Sequence, residues 1–141
     1  MIGPSRTIVV VGGLAAGPSA ASKAARTDPG ARVILLEQSD VISYGICELP
    51  YFVAGQVAEK DLVVHTAESL QREKGVDVRL LHKAEELHPG TRRLRVRNLQ
   101  TGLVADQPYD KLILATGATP RQLGIPGEDA RNVFHIRTLD G

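Results

Sequence analysis

A glycine-rich turn and a carboxylate downstream of it are the first residues whose types and spacing point to chemistry. The segment Gly12-Gly-Leu-Ala-Ala-Gly17 follows an apolar run, and Glu37 comes 20 residues after Gly17. A helix that begins at this turn can hold a pyrophosphate on its unpaired N–H groups, and the carboxylate can accept both hydroxyls of an adenosine ribose. Leu14 stands where the usual pattern has its middle glycine. The spacing predicts a dinucleotide site, and a tight turn that holds nothing is the alternative.

The single cysteine, Cys47, is the second candidate. One cysteine excludes an intrachain disulfide, and a lone cysteine is commonly an inert, buried, small hydrophobic residue. Here Cys47 follows the predicted nucleotide-binding unit and precedes a predicted helical turn, whose N-terminus would stabilise a thiolate. A redox-active Cys47 would have to cycle through a mixed disulfide with a small thiol or through a sulfenic acid.

A predicted strand, helix and strand position the glycine turn. Residues 7–11 and 32–36 are aliphatic runs of the kind found in buried parallel strands. Residues 15–28 are rich in alanine, and Pro29-Gly30 ends the helix that they predict. Such a unit within about 30 residues is a βαβ unit, so we predict a parallel sheet.

The later segments extend this unit. Residues 39–55 predict an ordered loop with a helical turn after Cys47. Helix and strand alternation continues, with a helix over 66–74, capped by Thr66 and ended by Gly75, and a strand over 76–81.

A change of period follows. Residues 84–108 alternate in polarity and contain two turn signals, which predicts a three-stranded antiparallel meander. Residues 111–115 return to a buried strand. The predicted fold class is therefore α/β, with about four parallel strands, a packed helix and the appended meander. An ordinary nicotinamide-binding dehydrogenase fold is the alternative.

Length and composition exclude several classes of protein. The chain has 141 residues, of which 43% are hydrophobic and 23% charged, and a net charge of +1, which is typical of one globular domain and excludes a disordered chain. No apolar stretch or signal peptide predicts a membrane partner, so we expect a soluble cytoplasmic protein. The arginines of residues 92–97 favour a solvated strand face over nucleic-acid binding. The four histidines lack the spacing of a metal site, so no metal is assigned.

Three segments carry a resemblance to a known family. VVVGGLAAGPSAA, LLEQSDVISYGICELPYFVAG and YDKLILATGATPRQLGIPG occur in this order. They resemble the N-terminal flavin-binding part of the pyridine nucleotide-disulfide oxidoreductases, and within them the single-cysteine branch of coenzyme A-disulfide reductases and NADH oxidases or peroxidases. The resemblance implies a Rossmann-like FAD/NAD(P)-binding fold with Cys47 as the redox cysteine beside the flavin and NAD(P)H as the electron donor of the complete enzyme.

The resemblance also implies the residues that hold the cofactor. FAD would lie on five of them: Gly12, Gly13, Ala16, Gly17 and Glu37. The backbone of Ala84 would lie near the adenine, and Thr116 and Gly117 would close over the cofactor.

A second set of residues is implied for the substrate. Those that approach coenzyme A in the coenzyme A-dependent members correspond to Ser19, Lys23, Arg26, Ser43 and Lys74. The three basic side chains suit its phosphates. Ile46 replaces the asparagine that commonly precedes the cysteine. The substrate therefore stays open between coenzyme A disulfide, a related small disulfide or persulfide, oxygen and peroxide.

Finally, the resemblance implies that residues 1–141 are the N-terminal portion of a FAD-binding domain. The family's nicotinamide domain and C-terminal interface domain have no counterpart in the sequence, which stops at Asp140-Gly141, where a linker is expected. We expect a truncated form of a homodimeric enzyme, without NAD(P)H-dependent turnover of its own. The competing class is a non-catalytic nucleotide-binding or assembly module that kept the fold and lost the chemistry.

Overall fold

The computed structural model describes residues 6–139, so Asp140 and Gly141, where a linker is expected, lie outside the described residues. In chain order the strands are β1 (Thr7–Val11), β2 (Arg32–Leu36), β3 (Asp77–Arg79), β4 (His82–His88), β5 (Arg93–Asn98), β6 (Val104–Pro108) and β7 (Lys111–Leu114). The helices are α1 (Ala16–Thr27), α2 (Leu49–Val53), α3 (Glu59–Leu62) and α4 (Ala67–Lys74), with 3₁₀ helices at Ile46–Glu48 and Pro89–Thr91. Across residues 6–139, no helix combines the length and the apolar character that a membrane crossing needs.

The first sheet consists of four parallel strands in the order β3-β2-β1-β7. Successive side chains of β1 point to opposite faces, and both Val9 and Val10 are fully buried because each face is covered. Ala21 of α1 and Leu70 of α4 cover the face to which Val10 belongs. The parallel pairing of β1 with β2, with α1 between them in sequence, confirms the predicted βαβ unit.

The second sheet is the predicted meander, with β4, β5 and β6 paired antiparallel in that order. Leu94 and Val96 alternate along β5 and cover the face of the first sheet to which Val9 belongs. The arginines that alternate with them form ion pairs at the surface, Arg95 with Glu86 at 2.8 Å and Arg97 with Glu85 at 2.7 Å. The alternating arginines therefore lie on a solvated face, as the sequence predicts.

Helix α4 begins and ends where its sequence predicts. The side-chain hydroxyl of Thr66 accepts a hydrogen bond from Ser69 N at 3.1 Å, and the Ser69 hydroxyl accepts one from Thr66 N at 3.0 Å. This reciprocal pair is a capping box. Gly75 takes a left-handed φ of 69° and donates its N–H to the Gln71 carbonyl, which ends the helix.

Two local features differ from the sequence-based expectation. The strand predicted over 76–81 ends at Arg79, because the chain turns at Leu80 and Leu81, the latter with φ 56°. Helix α3 lies where none was predicted, since four residues are too few to show a helical period.

Candidate functional site

The glycine turn between β1 and α1 brings three backbone segments into close approach. Gly12 has φ 108°, and a Cβ there would overlap the carbonyl oxygen of Ala115, the residue after β7. A Cβ on Gly17 would overlap the carbonyl oxygen of Gly12. Both positions therefore require glycine, and the start of α1 lies directly against the ends of β1 and β7.

The N-terminus of α1 has no side-chain cap. Ala15 stands at the cap position, and the first turn contains no acidic residue. Its N–H groups are thus left for another acceptor, and nothing negative in that turn repels an anion. This arrangement favours a pyrophosphate site over a turn that only connects two elements.

Glu37 joins the glycine turn to the segment that follows β2. One carboxylate oxygen, Oε2, accepts a hydrogen bond from Gly13 N at 2.6 Å. The other, Oε1, accepts from Ser39 N at 2.8 Å and from the Ser39 hydroxyl at 3.1 Å. The carboxylate is therefore fixed beside the glycine turn, where an ionised carboxylate can accept hydroxyl hydrogen bonds.

These groups line a cavity of about 620 Å³ at the carboxyl ends of β1, β2 and β7. Its volume lies in the range of small-molecule sites, and its place at the ends of parallel strands is where α/β sheets bind ligands. The predicted cofactor residues that line it are Gly12, Gly13, Ala16, Glu37, Thr116 and Gly117. A glycine cradle, an uncapped helix and a fixed carboxylate on one cavity fit an adenine dinucleotide such as FAD.

Leu14, the departure from the usual glycine pattern, also borders this cavity. Leu14 packs against a buried cluster formed by Tyr44, Leu49 and Leu62. The side chain thus joins the apolar packing beneath the loop that carries Cys47, which gives a leucine at this position a structural role.

Two predicted cofactor residues lie elsewhere. Gly17 is buried against Gly12 and does not line the cavity, so its role in the structure is the close approach of helix and turn. Ala84 lies in β4 opposite Val96 and packs against the core beneath the meander. Its predicted position near the adenine stays a prediction.

Cys47 lies within the 3₁₀ helix Ile46–Glu48, which leads directly into α2, so the helical turn predicted after Cys47 is present. It is exposed, so it is not the buried, small hydrophobic residue of the alternative, and its redox role stays a prediction. Its neighbour Ile46 lines the cavity, while Cys47 itself does not.

The loop that carries Cys47 is tied to the glycine turn. Ser43, with φ 52°, donates its N–H to the Gly13 carbonyl at 2.8 Å, and its own carbonyl accepts from Val64 N at 2.7 Å. The first bond ties the start of the cysteine loop to Gly13 in the wall of the cavity, and the second ties it to the segment after α3. Ser43 therefore has a structural function besides its predicted contact with substrate.

The remaining predicted substrate residues lie on the helices. Ser19, Lys23 and Arg26 are exposed and spaced so that they share one side of α1. Lys74 is the exposed last residue of α4, and α4 packs against α1. None of them lines the cavity. Their contact with coenzyme A stays a prediction.

Several cavity residues were missed by the sequence analysis, and Arg137, Leu99 and Tyr44 are among them. Arg137 lies beside Gly117 and donates from Nε to the Ala118 carbonyl at 2.8 Å. Leu99 and Tyr44 border the cavity as well. No local pattern could have identified Arg137 or Leu99, because distant contacts bring them to the site.

Comparisons with known proteins agree with this geometry. The family model described as pyridine nucleotide-disulphide oxidoreductase matches residues 6–141. A coenzyme A disulfide reductase of Staphylococcus haemolyticus is 32% identical over 136 residues, which are 96% of this chain and 30% of that protein. An NADH oxidase of Enterococcus faecalis is 36% identical over 128 residues, which are 90% of this chain and 28% of that protein.

A solved structure extends the comparison to the fold. The NAD-dependent persulfide reductase from A. fulgidus superposes with a TM-score of 0.86 at 32% identity, over 95% of this chain and 25% of that one. The chain thus spans less than a third of the length of these relatives. The family match, the sequence identity to the relatives and the shared fold all indicate the same family. The chain therefore belongs to the pyridine nucleotide-disulphide oxidoreductases, a family that uses FAD and NAD(P)H.

Proposed function

We propose that this chain is the FAD-binding part of an NAD(P)H-dependent oxidoreductase that reduces coenzyme A disulfide, or a related small disulfide or persulfide, through the single redox cysteine Cys47. The observation that carries the proposal is the combination of the dinucleotide cavity with an exposed cysteine on a loop tied to it by the Ser43–Gly13 hydrogen bond. The first feature suits a cofactor and the second suits thiol exchange.

Within the proposal, the glycine turn and Glu37 hold the pyrophosphate and the ribose of an ADP moiety. The N–H groups at the start of α1 bind the pyrophosphate, and Glu37 accepts the ribose hydroxyls. FAD, when bound, supplies two-electron redox chemistry between a nicotinamide and a disulfide. The acid at position 37 disfavours a 2′-phosphate, because two negative charges would meet there.

Cys47 performs the exchange with substrate. Its thiolate attacks one sulfur of coenzyme A disulfide, which breaks the sulfur–sulfur bond, forms a mixed disulfide with one coenzyme A and releases the other as a thiolate. Two electrons that originate from NAD(P)H then cleave the mixed disulfide, release the second coenzyme A and restore Cys47. The exposure of Cys47 gives a bulky disulfide access to it.

The charged surface of α1 and α4 suits the phosphates of coenzyme A. Lys23, Arg26 and Lys74 are exposed, and no ion pair with an acidic side chain is found for them among the described residues. Cations of this kind bind phosphate through charge-assisted hydrogen bonds. The proposal assigns Ser19 and Ser43 to the same ligand.

The proposal extends to the NAD(P)H site, the homodimer and the location of the complete enzyme. We place the NAD(P)H site and the homodimer contacts in parts of the protein for which this chain has no counterpart, and the enzyme in the cytoplasm, where thiols are kept reduced. A non-catalytic nucleotide-binding or assembly module is the competing class, and the reactivity of Cys47 separates the two.

Mass spectrometry of the full chain after incubation with coenzyme A disulfide tests the proposal without needing turnover. We expect one coenzyme A on Cys47 and one equivalent of free coenzyme A, and no adduct on a Cys47→Ser variant. Glutathione disulfide is the matched control, because it has the same bond without phosphates. Replacing Lys23 by Ala should slow the reaction with coenzyme A disulfide and leave that with glutathione disulfide unchanged. Absence of the adduct on the wild-type chain would favour the non-catalytic module or an oxygen- or peroxide-reducing enzyme.

A further inference from the structure

We propose that Leu99 is a specificity-determining residue that packs against the adenine ring of the bound dinucleotide. The inference rests on the proposed function and adds to it the residue that recognises the base. Leu99 follows β5, lines the dinucleotide cavity and is 44% exposed. A leucine exposed to this extent on a cavity wall offers an apolar surface for a ligand to cover.

Backbone hydrogen bonds place Leu99 beside the segment that holds Glu37. The N–H and the hydroxyl of Ser39 donate hydrogen bonds to the Glu37 carboxylate. The Ser39 carbonyl accepts a hydrogen bond from Leu81 N at 3.1 Å. The Leu81 carbonyl in turn accepts a hydrogen bond from Leu99 N at 2.7 Å. The neighbouring His82 N bonds the Glu37 carbonyl at 2.8 Å. Two backbone hydrogen bonds therefore connect Leu99 to Ser39, and Ser39 bonds the Glu37 carboxylate that is proposed to hold the ribose.

Asn98 fixes the turn on which Leu99 lies. Its Oδ1 accepts hydrogen bonds from Gln100 N at 2.9 Å and from Thr101 N at 3.0 Å, and its Nδ2 lies 3.4 Å from Nε2 of His82. Because both the oxygen and the nitrogen of its side-chain amide are hydrogen-bonded, Asn98 holds the turn in one conformation. The position of Leu99 is thus set by the turn and does not depend on a ligand.

The order of the strands indicates which end of the dinucleotide reaches Leu99. Glu37 follows β2 and Thr116 follows β7, on opposite sides of β1 and its glycine turn. With the pyrophosphate at the glycine turn and the ribose at Glu37, the base attached to that ribose lies on the β2 side, away from Thr116. Gln38 and Ser39, which follow Glu37, line the cavity there, and so does Leu99, which is bonded to this segment through Leu81.

A leucine that packs on a flat base needs no hydrogen bond with it. The contact is favourable because it removes apolar surface from water. A ligand that carries adenosine should therefore depend on Leu99, and one that carries only the flavin should not. FAD and ADP contain the adenosine, whereas FMN has the flavin with one phosphate and no adenine. The three ligands separate the base from the rest of the cofactor.

Titration of the full chain with FAD, with ADP as a competitor and with FMN tests the assignment. Leu99→Ala should weaken FAD and ADP binding about tenfold, by the loss of apolar contact, and leave FMN unchanged. Leu99→Met should restore binding, because it returns a side chain of similar volume. Leu103→Ala is the matched control, since Leu103 is 72% exposed on the same meander and does not line the cavity.

The outcomes separate this inference from the proposed function. A wild-type chain that binds no FAD overturns both. A wild-type chain that binds FAD, with unchanged affinity in Leu99→Ala or an equal loss in Leu103→Ala, overturns the inference alone. Melting of the ligand-free variants is followed in parallel, and a Leu99→Ala chain that is unfolded while Leu99→Met is folded assigns Leu99 to the fold and also overturns the inference.

Discussion

At the scale of single residues, Glu37 has two functions that share one carboxylate. It accepts N–H bonds from Gly13 and Ser39, so it holds the glycine turn to the end of β2 before any ligand arrives. The same group borders the cavity, where a ribose would meet it. A carboxylate positioned in advance loses little conformational freedom on binding.

Replacement of Glu37 by Gln tests this double function. The amide keeps an acceptor but loses the charge, and we expect FAD binding to weaken by about 1–3 kcal/mol, the range for hydrogen bonds to a charged group. Flavin fluorescence measures the affinity, and Glu59→Gln on α3 is the control, since Glu59 is exposed and outside the cavity lining. Equal affinities for wild type and Glu37→Gln would show that Glu37 does not hold the ribose.

At the scale of elements, ion pairs of one side chain add to the pairing at the edge of the parallel sheet. Asp77 on β3 bonds Arg32 of β2 at 2.9 Å and Arg79 at 3.0 Å. Partial burial by itself raises the pKa of Asp77, but hydrogen bonds from Arg79 and Arg32 outweigh it and lower the pKa below its usual value. The short strand β3 is thereby held to β2 by a charge pair as well as by the sheet hydrogen bonds.

The sign of this shift predicts a pH dependence. Because the pKa of Asp77 is lower in the folded chain, its stabilisation is present above the unfolded value of about 3.9 and is lost as the pH falls through the folded value. Asp77→Asn should reduce the free energy of unfolding at neutral pH, and the difference from wild type should shrink below about pH 4. Urea unfolding at several pH values measures it, with Asp61→Asn on α3 as the control. A difference that does not change with pH would contradict the assignment.

The same scale shows what the sequence could predict. The strands β1 and β2, the capped helix α4 and the meander have local patterns, and each was predicted within a few residues. The ion pairs of Glu85 and Glu86 were not, because they depend on the register between β4 and β5, which shifts between Ala84 and Glu86. Leu99 and Arg137 reach the cavity only through tertiary contacts. Chemistry that depends on spacing was predictable, and chemistry that depends on contacts between distant segments was not.

At the scale of the whole molecule, the described surface contains several large apolar side chains. β7 pairs only with β1 in the described sheet, and Leu114 at its end is 60% exposed. Leu123 and Phe134 in the irregular segment after β7 are 69% and 79% exposed. An open strand edge beside apolar surface favours association.

We therefore expect the full chain to self-associate with rising concentration. Leu114→Lys should shift the equilibrium towards monomer, because it places a charge at the open edge. Leu103→Lys on the meander, away from that edge, should not. Sedimentation velocity over a range of concentrations measures the effect, and a wild-type chain that stays monomeric throughout would show that this edge does not drive association.

The proposed function requires that the glycine turn, Glu37 and their cavity hold FAD. Equilibrium titration of the full chain with FAD and, separately, with NAD tests it most directly. We expect FAD to bind more tightly than NAD, and Gly12→Ala to abolish binding because its Cβ would overlap the Ala115 carbonyl oxygen. Preferential binding of NAD, or binding of FAD that is unaffected by the change at Gly12, would contradict it.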